Sequence, residues 1–463
     1  CESEDSMSAV KKKKVYAIAR PRPKAAKKDL VLGLGATGLS VARYLKRTGC
    51  DAMFLDSREE PPGLQELVEL WPDADRELGS SERPRDVARV IVSPGIADTD
   101  ALVEAAREAG LEIVSDIELF ARDAKAPFIG VTGSNGKSTV TTLLYHMCRA
   151  AGHSALAGGN LGQPALDLLA EEEPDFYVLE LSSFQLQRTQ TLPAKVAVLL
   201  NVTPDHLDWH ASEEEYREAK YSIFREAEAA VINREDSEAA ERTKHIDRVI
   251  SFGLDAPEDG HYGIRREDDQ VFLARGDNVL LAVSELALFG RHNQANALAA
   301  LAAGELLGLD MQAMLQVLCE FPGLPHRMQF VRRVAAVNYV NDSKATNVAA
   351  AIASIRSVDG MLVLIAGGEG KGGDFSALAE PLENKLRAAV LIGRDAEAIE
   401  SAIDTIMPTY FARDMEDAVQ QAAAYSESDD TVLLAPACAS FDQFDNYAAR
   451  GDAFCRAVEA LRA

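Results

Sequence analysis

The sequence predicts an α/β protein made of three domains whose sheets are mostly parallel. From Asp29 onward, short runs of Val, Ile and Leu alternate with amphipathic stretches, the pattern of parallel strand and helix units. The pattern recurs in three blocks, and a chain of 463 residues at about 150 residues per domain also indicates three domains. The first two blocks each contain a glycine-rich turn between an apolar run and a helix-like run.

Changes in composition set the predicted domain boundaries. Residues 1–28 switch from acidic to basic without a long apolar segment, which indicates an unstructured or engineered tail. We expect a Rossmann-like first domain at 29–116, a central domain at 117–322 and a Rossmann-like third domain at 323–463. The prolines and glycines of "FPGLPHR" make the second boundary the clearer one.

Composition narrows the classes of partner. The chain has 73 Asp and Glu against 48 Lys and Arg, a net charge of -25, which argues against a nucleic-acid partner. Six cysteines stand singly without a CxxC pair, as in a reduced cytoplasmic protein. No apolar stretch approaches the length of a membrane span. We therefore expect a cytoplasmic protein that acts on small molecules, and we expect it to be a monomer.

The first glycine-rich turn predicts a diphosphate site. Gly33, Gly35 and Gly38 have the G-x-G-x-x-G spacing between a strand-like run and a helix-like run. Asp56 ends the next apolar run, about where a ribose-binding acid is expected. Backbone N–H groups and a helix N-terminus would hold any pyrophosphate, so the motif predicts a Rossmann-like domain without requiring nicotinamide.

The second turn predicts an ATP or GTP site. In "FIGVTGSNGKST", an apolar strand meets a glycine-rich loop before Lys137 and Ser138 open a helix. Backbone N–H groups from Gly133 to Lys137 would surround phosphates, and the Ser138 hydroxyl would bind magnesium. The strict P-loop pattern requires glycine at position 131, where this chain has Val131. The context still predicts a central domain of the P-loop ATPase type.

Acidic and histidine residues follow the next two predicted strands. Glu180 ends "DFYVLE", the position from which P-loop proteins direct a carboxylate at magnesium. "VTPDHLDWH" then places His206 and His210 among aspartates, and without HExxH or a thiolate partner the cluster favours a magnesium and phosphate site over zinc. By base rate His210 is expected at the surface, and Lys220 looks like one more solvated lysine of a helix.

Two diphosphate loops in one chain suit an ATP-dependent enzyme whose second substrate is itself a nucleotide diphosphate. The sequence resembles the Mur ligases of peptidoglycan synthesis, and within that family the members that add D-glutamate. The resemblance covers nearly the whole chain from about Asp29. It rests on separated motifs, which include "GLGATGLS", "SPGIA", "GVTGSNGKST", "ELSSFQL", "NVTPDHLD", "YREAK", "HNQANALAA", "NDSKATN", "GGEGKGGDF" and "PACASFDQF".

The resemblance implies domains for a UDP-substrate, for ATP and for an amino acid, and it assigns the catalytic residues. Lys137 would contact the γ-phosphate, and Ser138 and Glu180 would bind one magnesium ion. Glu180 and His206 would bind a second ion together with Lys220, which in this family is carbamylated by CO₂.

The resemblance also assigns residues to each substrate. The ATP residues are Gly133, Ser134, Asn135, Gly136, Lys137, Ser138, Thr139, Asn293, Asn296, Arg327, Asp342 and Lys344. The UDP-substrate residues are Gly35, Ala36, Thr37, Asp56, Ser57, Arg58, Gly95, Asn160 and His206. The amino-acid residues are Thr346, Lys371, Ser440, Phe441 and Tyr447.

The implied activity is the ATP-dependent addition of D-glutamate to UDP-N-acetylmuramoyl-L-alanine through an acyl phosphate. Three alternatives stay open at this point. They are a sibling or folylpolyglutamate-type ligase with another amino acid, an NAD(P)-linked oxidoreductase with an accessory NTPase, and a non-catalytic nucleotide switch.

Overall fold

The computed structural model describes residues 28–79, 87–203, 209–370, 373–403 and 407–462. They form three β-sheets with helices between the strands, which confirms the predicted α/β fold class. The chain divides into two compact units: the first comprises the described residues up to Val92 with Asp98–Ile113, and the second comprises Ser93–Ala97 and everything from Val114 onward. The tail prediction concerns residues outside the described ranges, except that Lys28 begins the first strand.

The first unit contains a five-stranded sheet in the order β3-β2-β1-β4-β5. Its strands are β1 Lys28–Leu32, β2 Ala52–Asp56, β3 Asp75–Leu78, β4 Val87–Val92 and β5 Glu112–Val114. Its helices are α1 Ala36–Thr48, α2 Leu64–Leu70 and α3 Ala101–Glu108. Strands β1 to β4 pair in parallel, so their carboxyl ends share one edge with the N-terminus of α1.

The second unit begins with a nine-stranded sheet in the order β14-β13-β12-β11-β10-β9-β6-β8-β7. Its strands are β6 Phe128–Thr132, β7 Ala155–Gly159, β8 Phe176–Glu180, β9 Val196–Leu199, β10 Ala229–Asn233, β11 Arg248–Phe252, β12 Tyr262–Glu267, β13 Gln270–Arg275 and β14 Asn278–Ala282. Its helices are α4 Asp116–Asp123, α5 Lys137–Ala150, α6 Ala165–Leu168, α7 Ser183–Gln187, α8 Glu213–Tyr221, α9 Ser237–Arg242, α10 Arg291–Leu307 and α11 Met311–Glu320. The antiparallel pairs β12-β13 and β13-β14 form two successive hairpins.

The second unit ends with a six-stranded sheet in the order β15-β16-β20-β17-β18-β19. Its strands are β15 Gln329–Val334, β16 Val337–Asn341, β17 Leu362–Gly367, β18 Leu386–Ile392, β19 Thr409–Phe411 and β20 Thr431–Leu434. Its helices are α12 Val348–Ser357, α13 Ala379–Leu382, α14 Ala396–Ile403, α15 Met415–Tyr425 and α16 Tyr447–Ala460. Strand β15, at the edge of the sheet, pairs antiparallel with β16, and the other strand pairs of this sheet among the described residues are parallel.

Helices α5 and α10 cover the central sheet and fix the strand ends that carry the site. Val140 and Leu144 of α5 and Leu298 of α10 are fully buried against Val131 and Val178 of the parallel strands. Burial of such side chains stabilises the fold by about 1.5–3 kcal/mol each. Among the described residues, no helix combines the length and apolar character needed to cross a bilayer.

Candidate active site

The loop between β6 and α5 has the backbone shape of a phosphate-binding turn. Gly133 and Gly136 have φ values of +153° and +86°, and a Cβ on Gly136 would lie 2.3 Å from the Asn296 Oδ1 atom. Val131, at the position of the strict-pattern glycine, is fully buried inside β6. The glycines that the turn requires are therefore the two after the strand, and Val131 does not disturb it.

Lys137, at the start of α5, turns its side chain back over the loop. Its Nζ atom donates to the carbonyl oxygens of Gly133 and Ser134, each at 2.8 Å. The ammonium group therefore lies beside the turn at the N-terminus of α5, where the positive partial charge of the helix favours an anion. An ammonium at this point adds to the attraction for a phosphate.

Glu180 is a buried carboxylate beside the phosphate loop. Parallel pairing places it opposite Val131 on one side and opposite Gly159 on the other. Glu180 is 3% exposed, and its carboxylate accepts hydrogen bonds from Ser138 Oγ at 2.7 Å and Asn160 Nδ2 at 2.6 Å. A hydroxyl and a carboxylate in contact are hard oxygen donors of the kind that magnesium prefers, so these residues fit a magnesium ion.

Lys220 is buried, and the expectation of a solvated lysine is wrong. The residue is 2% exposed on the inward side of α8, with its Nζ atom 2.9 Å from the Gly133 carbonyl oxygen. The ammonium also lies 4.7 Å from the ring centroid of Tyr216, one helical turn earlier. The Tyr216 hydroxyl in turn contacts Ser134 Oγ at 2.6 Å, so α8 is joined to the phosphate loop at two points.

His210 is also buried, at 3% exposure, so its expected surface position is wrong. Its ring packs against those of Phe184, Trp209 and Tyr216, and its Nε2 atom lies 3.0 Å from Ser183 Oγ. These aromatic contacts remove the ring from water, which base rates cannot anticipate. The neighbouring His206 lies outside the described residues, so its predicted role stays a prediction.

A cavity of about 380 Å³ opens beside the phosphate loop, between the central sheet and the C-terminal sheet of the second unit. Nine predicted ATP residues line it: Asn135, Gly136, Ser138, Thr139, Asn293, Asn296, Arg327, Asp342 and Lys344. Gly133, Ser134 and Lys137 belong to the same loop but not to the lining. Other lining residues were not identified from the sequence, and they include Asn201, Asn233, Phe252, His292, Met328 and Ser354.

Burial shapes the charges around this cavity. It raises the pKa of the Asp342 carboxyl, which accepts hydrogen bonds from the Met328 backbone N–H at 3.1 Å and from Ser354 Oγ. It lowers the pKa of His292 to about 4, so that this imidazole is neutral at pH 7. Burial is the larger cause that lowers the pKa of Lys344, and repulsion from the charge of Arg327 lowers it further. Asp342 and Lys344, which bring a carboxyl group and an amine to this cavity, both belong to the C-terminal part of the chain.

A second cavity of about 580 Å³ lies at the carboxyl edge of the C-terminal sheet. Thr346, Ser440, Phe441 and Tyr447 line it, as the predicted amino-acid residues, while Lys371 lies outside the described residues. Lys344 lines both cavities, and its Nζ atom is 4.3 Å from the Tyr447 ring centroid.

Arg450, which sequence reasoning missed, is hydrogen-bonded to Ala439, a residue that lines the second cavity. It is 1% exposed and donates to Ser343 Oγ and the Ser343 carbonyl oxygen, each at 3.0 Å, and to the Ala439 carbonyl oxygen at 3.3 Å. Burial lowers its pKa to about 10, so the guanidinium stays charged at pH 7. These bonds fix the neighbours of Lys344 and Ser440.

The first unit contains its own glycine turn, between β1 and α1. Gly33 has a φ of +88°, and Gly35, Ala36 and Thr37 begin α1 without a side-chain cap, which leaves backbone donors for a ligand. Asp56 accepts from the Leu34 backbone N–H at 2.8 Å and from Arg58 Nε and Nη2, each at 2.8 Å.

Hydrogen bonding from Arg58 lowers the pKa of Asp56 to about 2. The Oδ2 atom of Asp56 thus bonds the Leu34 backbone of the loop, and both carboxylate oxygens bond Arg58. Ser57 lies between Asp56 and Arg58 in the sequence. Gly95 follows β4, whereas Asn160, also assigned to the UDP-substrate, contacts Glu180.

Comparisons with known proteins agree with this arrangement. Three family models match successive parts of the chain: "Mur ligase MurD-like, N-terminal domain" at residues 27–115, "Mur ligase middle domain" at 131–304 and "Mur ligase, glutamate ligase domain" at 326–438. Together they include both glycine turns and Glu180.

Full-length relatives share nearly half of the sequence. A UDP-N-acetylmuramoylalanine–D-glutamate ligase from Nitrosococcus oceani is 47% identical over 444 residues, which cover 95% of this chain and 98% of that protein. The enzyme of the same name from Legionella pneumophila strain Lens is 47% identical over 441 residues, which cover 93% of this chain and 99% of that protein.

Solved structures share the fold at low identity. The UDP-N-acetylmuramate-alanine ligase MurC from Thermotoga maritima has a TM-score of 0.56 at 20% identity, covering 94% of this chain and 99% of that chain. The MurF ligase of the same organism, in complex with ADP, has a TM-score of 0.58 at 18% identity, covering 95% and 99%. The three matched domains and the full-length relatives show that the chain belongs to the Mur ligase family.

Proposed function

We propose that this chain is an ATP-dependent, ADP-forming ligase that adds D-glutamate to UDP-N-acetylmuramoyl-L-alanine in peptidoglycan precursor synthesis. The observation that carries the proposal is the buried Glu180 carboxylate, hydrogen-bonded to Ser138 beside the phosphate loop and its cavity. The names of the full-length relatives support the choice of D-glutamate over the amino acids of sibling ligases.

In this proposal, ATP occupies the 380 Å³ cavity with its phosphates at the loop. Lys137 and the backbone N–H groups of Gly133–Lys137 contact the phosphates, and Ser138 and Glu180 hold magnesium. Bound magnesium would neutralise charge on the transferring phosphoryl group. The cavity residues Arg327 and Lys344 add positive charge from the C-terminal part of the chain.

We further propose that Lys220 carries a carbamate and that it joins Glu180 and His206 in holding a second magnesium ion. Carbamylation adds CO₂ to Nζ and, starting from the ammonium form, releases two protons, so it turns a cation into an anion. The position of Lys220 supports this, since its Nζ atom lies against Gly133 of the phosphate loop and is shielded from bulk water.

The remaining cavities take the other substrates in this proposal. The glycine turn of the first unit, with Asp56, Ser57 and Arg58 nearby, holds the UDP of the first substrate, together with Gly95. Thr346, Lys371, Ser440, Phe441 and Tyr447 hold the amino acid. Arg450, which is hydrogen-bonded to Ala439 of that cavity, supplies fixed positive charge for a dianionic acid, which a chain at -25 would otherwise repel.

The charges suggest the order of the reaction. The substrate carboxylate attacks the γ-phosphorus of ATP, ADP leaves, and an acyl phosphate forms; Lys137 spreads the charge of the transferring group. The neutral amine of the amino acid then attacks the acyl carbon, and phosphate leaves from the tetrahedral intermediate. Lys344, which lines both cavities, lies where the two half-reactions meet.

The wider context belongs to the same proposal. A ligase of this kind serves cell-wall synthesis, and through it cell shape and division, and we propose that it works as a cytoplasmic monomer. We also propose the domain boundaries 29–116, 117–322 and 323–463 as the limits of the UDP-substrate, ATP and amino-acid domains.

A panel of substrates tests the amino-acid assignment. Phosphate release is measured with ATP, magnesium and UDP-N-acetylmuramoyl-L-alanine, with D-glutamate, L-alanine, L-lysine or meso-diaminopimelate as the amino acid. We expect release with D-glutamate alone. Release with another amino acid, or with a folate acceptor and L-glutamate, would assign the chain to a sibling activity.

A further inference from the structure

Arg188, at the end of α7, holds the connection in which Gly95 lies. The residue is 5% exposed, and its Nη2 atom donates to the Ile96 carbonyl oxygen at 2.6 Å, while Nη1 lies 3.5 Å from the Ser93 carbonyl oxygen. The two carbonyls flank Gly95 in the sequence. One guanidinium therefore spans the turn on both sides of this glycine.

The connection has an unusual place in the chain. Ser93–Ala97 groups with the second unit, whereas β4 before it and α3 after it belong to the first. Arg188 and this short segment therefore belong to the same unit, and the hydrogen bonds between them lie within it. A guanidinium suits such a contact, because its planar fork of donors can bond two carbonyls in one geometry.

Arg188 is itself firmly held within the second unit. Its guanidinium carbon lies 5.4 Å from the Trp209 ring centroid, and its backbone carbonyl accepts from the Ser115 N–H at 3.3 Å. The next residue, Thr189, contacts the Ser115 hydroxyl through its own at 2.9 Å. The side chain that reaches Ile96 therefore starts from a fixed backbone.

Arg188 also lies close in sequence to the metal-binding carboxylate of the proposed function. Helix α7 begins after Ser182, whose side chain forms a capping box with Gln185, and Ser182 follows Glu180 by two residues. One short, capped helix thus links the turn at Gly95 to the strand end that presents Glu180.

We infer that Arg188 is a positioning residue for the UDP-substrate, which it serves by fixing the turn at Gly95. The inference rests on the proposed function, because the substrate is the one assigned there. Arg188 acts through Ser93 and Ile96 and does not act on ATP. Its loss should weaken capture of the UDP-substrate and leave the phosphate loop intact.

The test compares Arg188→Gln and Arg188→Lys with the control Arg225→Gln. Arg225 also donates to backbone carbonyls near α7, those of Thr189 and Gln190 at 3.3 Å, but not to the turn at Gly95. Hydrogen exchange of the Ile96 amide, which bonds the Ser93 carbonyl at 3.0 Å, reports the turn directly. Steady-state kinetics give separate KM values for ATP and for UDP-N-acetylmuramoyl-L-alanine.

We expect faster exchange at Ile96 and a roughly tenfold higher KM for the UDP-substrate in Arg188→Gln, from the loss of one charge-assisted hydrogen bond. The KM for ATP should not change, Arg188→Lys should recover part of the loss, and Arg225→Gln should match the parent. Unchanged exchange at Ile96, an unchanged UDP-substrate KM, or equal rises in both KM values would overturn the inference. If the parent forms no amide, the proposed function fails instead, and the exchange data still report the contact.

Discussion

Replacing Glu180 with glutamine tests the metal site with little change in shape. The variant removes one negative charge from a carboxylate that accepts from Ser138 Oγ at 2.7 Å and Asn160 Nδ2 at 2.6 Å. The amide has a single acceptor oxygen, so one of the two donors loses its partner, at a cost of about 1–3 kcal/mol in stability. The larger effect should fall on catalysis.

The expected catalytic loss follows from the charge. Two unit charges about 4 Å apart at an effective dielectric constant of about 20 interact by about 4 kcal/mol. Loss of one such interaction with magnesium corresponds to about a thousandfold fall in kcat/KM. The assay measures phosphate release as the magnesium concentration is varied, with ATP and both other substrates saturating, and it gives kcat/KM with respect to magnesium.

Glu118 offers a matched control. It is another buried glutamate of the second unit, which accepts from the Gln190 and Thr191 backbone N–H groups and from Arg122 Nε. Glu118→Gln should lower the melting temperature without changing the magnesium dependence. A Glu180→Gln variant with kcat/KM within tenfold of the parent, or an equal loss of activity in both variants, would contradict a metal-binding role for Glu180.

Three further predictions concern the loop, the buried lysine and the first unit. Gly136→Ala, whose Cβ would lie 2.3 Å from Asn296 Oδ1 at a φ of +86°, should weaken ATP binding at least tenfold in calorimetry, and parent-like affinity would contradict the role of this glycine. Lys220→Ala should lose activity and regain part of it with short-chain carboxylic acids; failure of rescue in a folded variant would count against a carbamate. The pKa of Asp56, lowered to about 2 from 3.8, implies stability that is complete above about pH 4 and lost as the pH falls toward 2. The amount is about 1–2 kcal/mol, since solvent screens the half-exposed Arg58, so acid unfolding of Asp56→Asn should depend less on pH over this range than that of the parent.

The sequence predicted those features of the molecule that depend on local order along the chain. Alternating apolar runs indicated the three sheets, and the strand, turn and helix order around Lys137 located the phosphate loop. Glu180 was found because it ends a predicted strand, the position from which P-loop proteins direct a carboxylate at magnesium, and parallel pairing does place it beside the phosphate loop. The same reasoning, applied to the ends of β9 and β10, would have found Asn201 and Asn233 in the cavity lining.

Features that depend on packing between distant segments could not be predicted in this way. Lysine and arginine usually lie at the surface, but Lys220 and Arg450 are buried by contacts with residues far away in the sequence. Lys220 contacts Gly133, and Arg450 contacts Ser343. Asn160, assigned to the UDP-substrate by resemblance, bonds Glu180 because β7 and β8 pair in parallel. Patterns of charge and hydropathy along the chain do not predict which distant residues will be in contact.

The most direct test of the ligase assignment is the stoichiometry of a single reaction mixture. The protein is incubated with ATP, magnesium, UDP-N-acetylmuramoyl-L-alanine and either D- or L-glutamate, and the products are measured by mass spectrometry with quantified phosphate. We expect one ADP and one phosphate for each UDP-N-acetylmuramoyl-L-alanyl-D-glutamate formed, and no amide with L-glutamate. Hydrolysis of ATP without formation of the amide would contradict the ligase assignment.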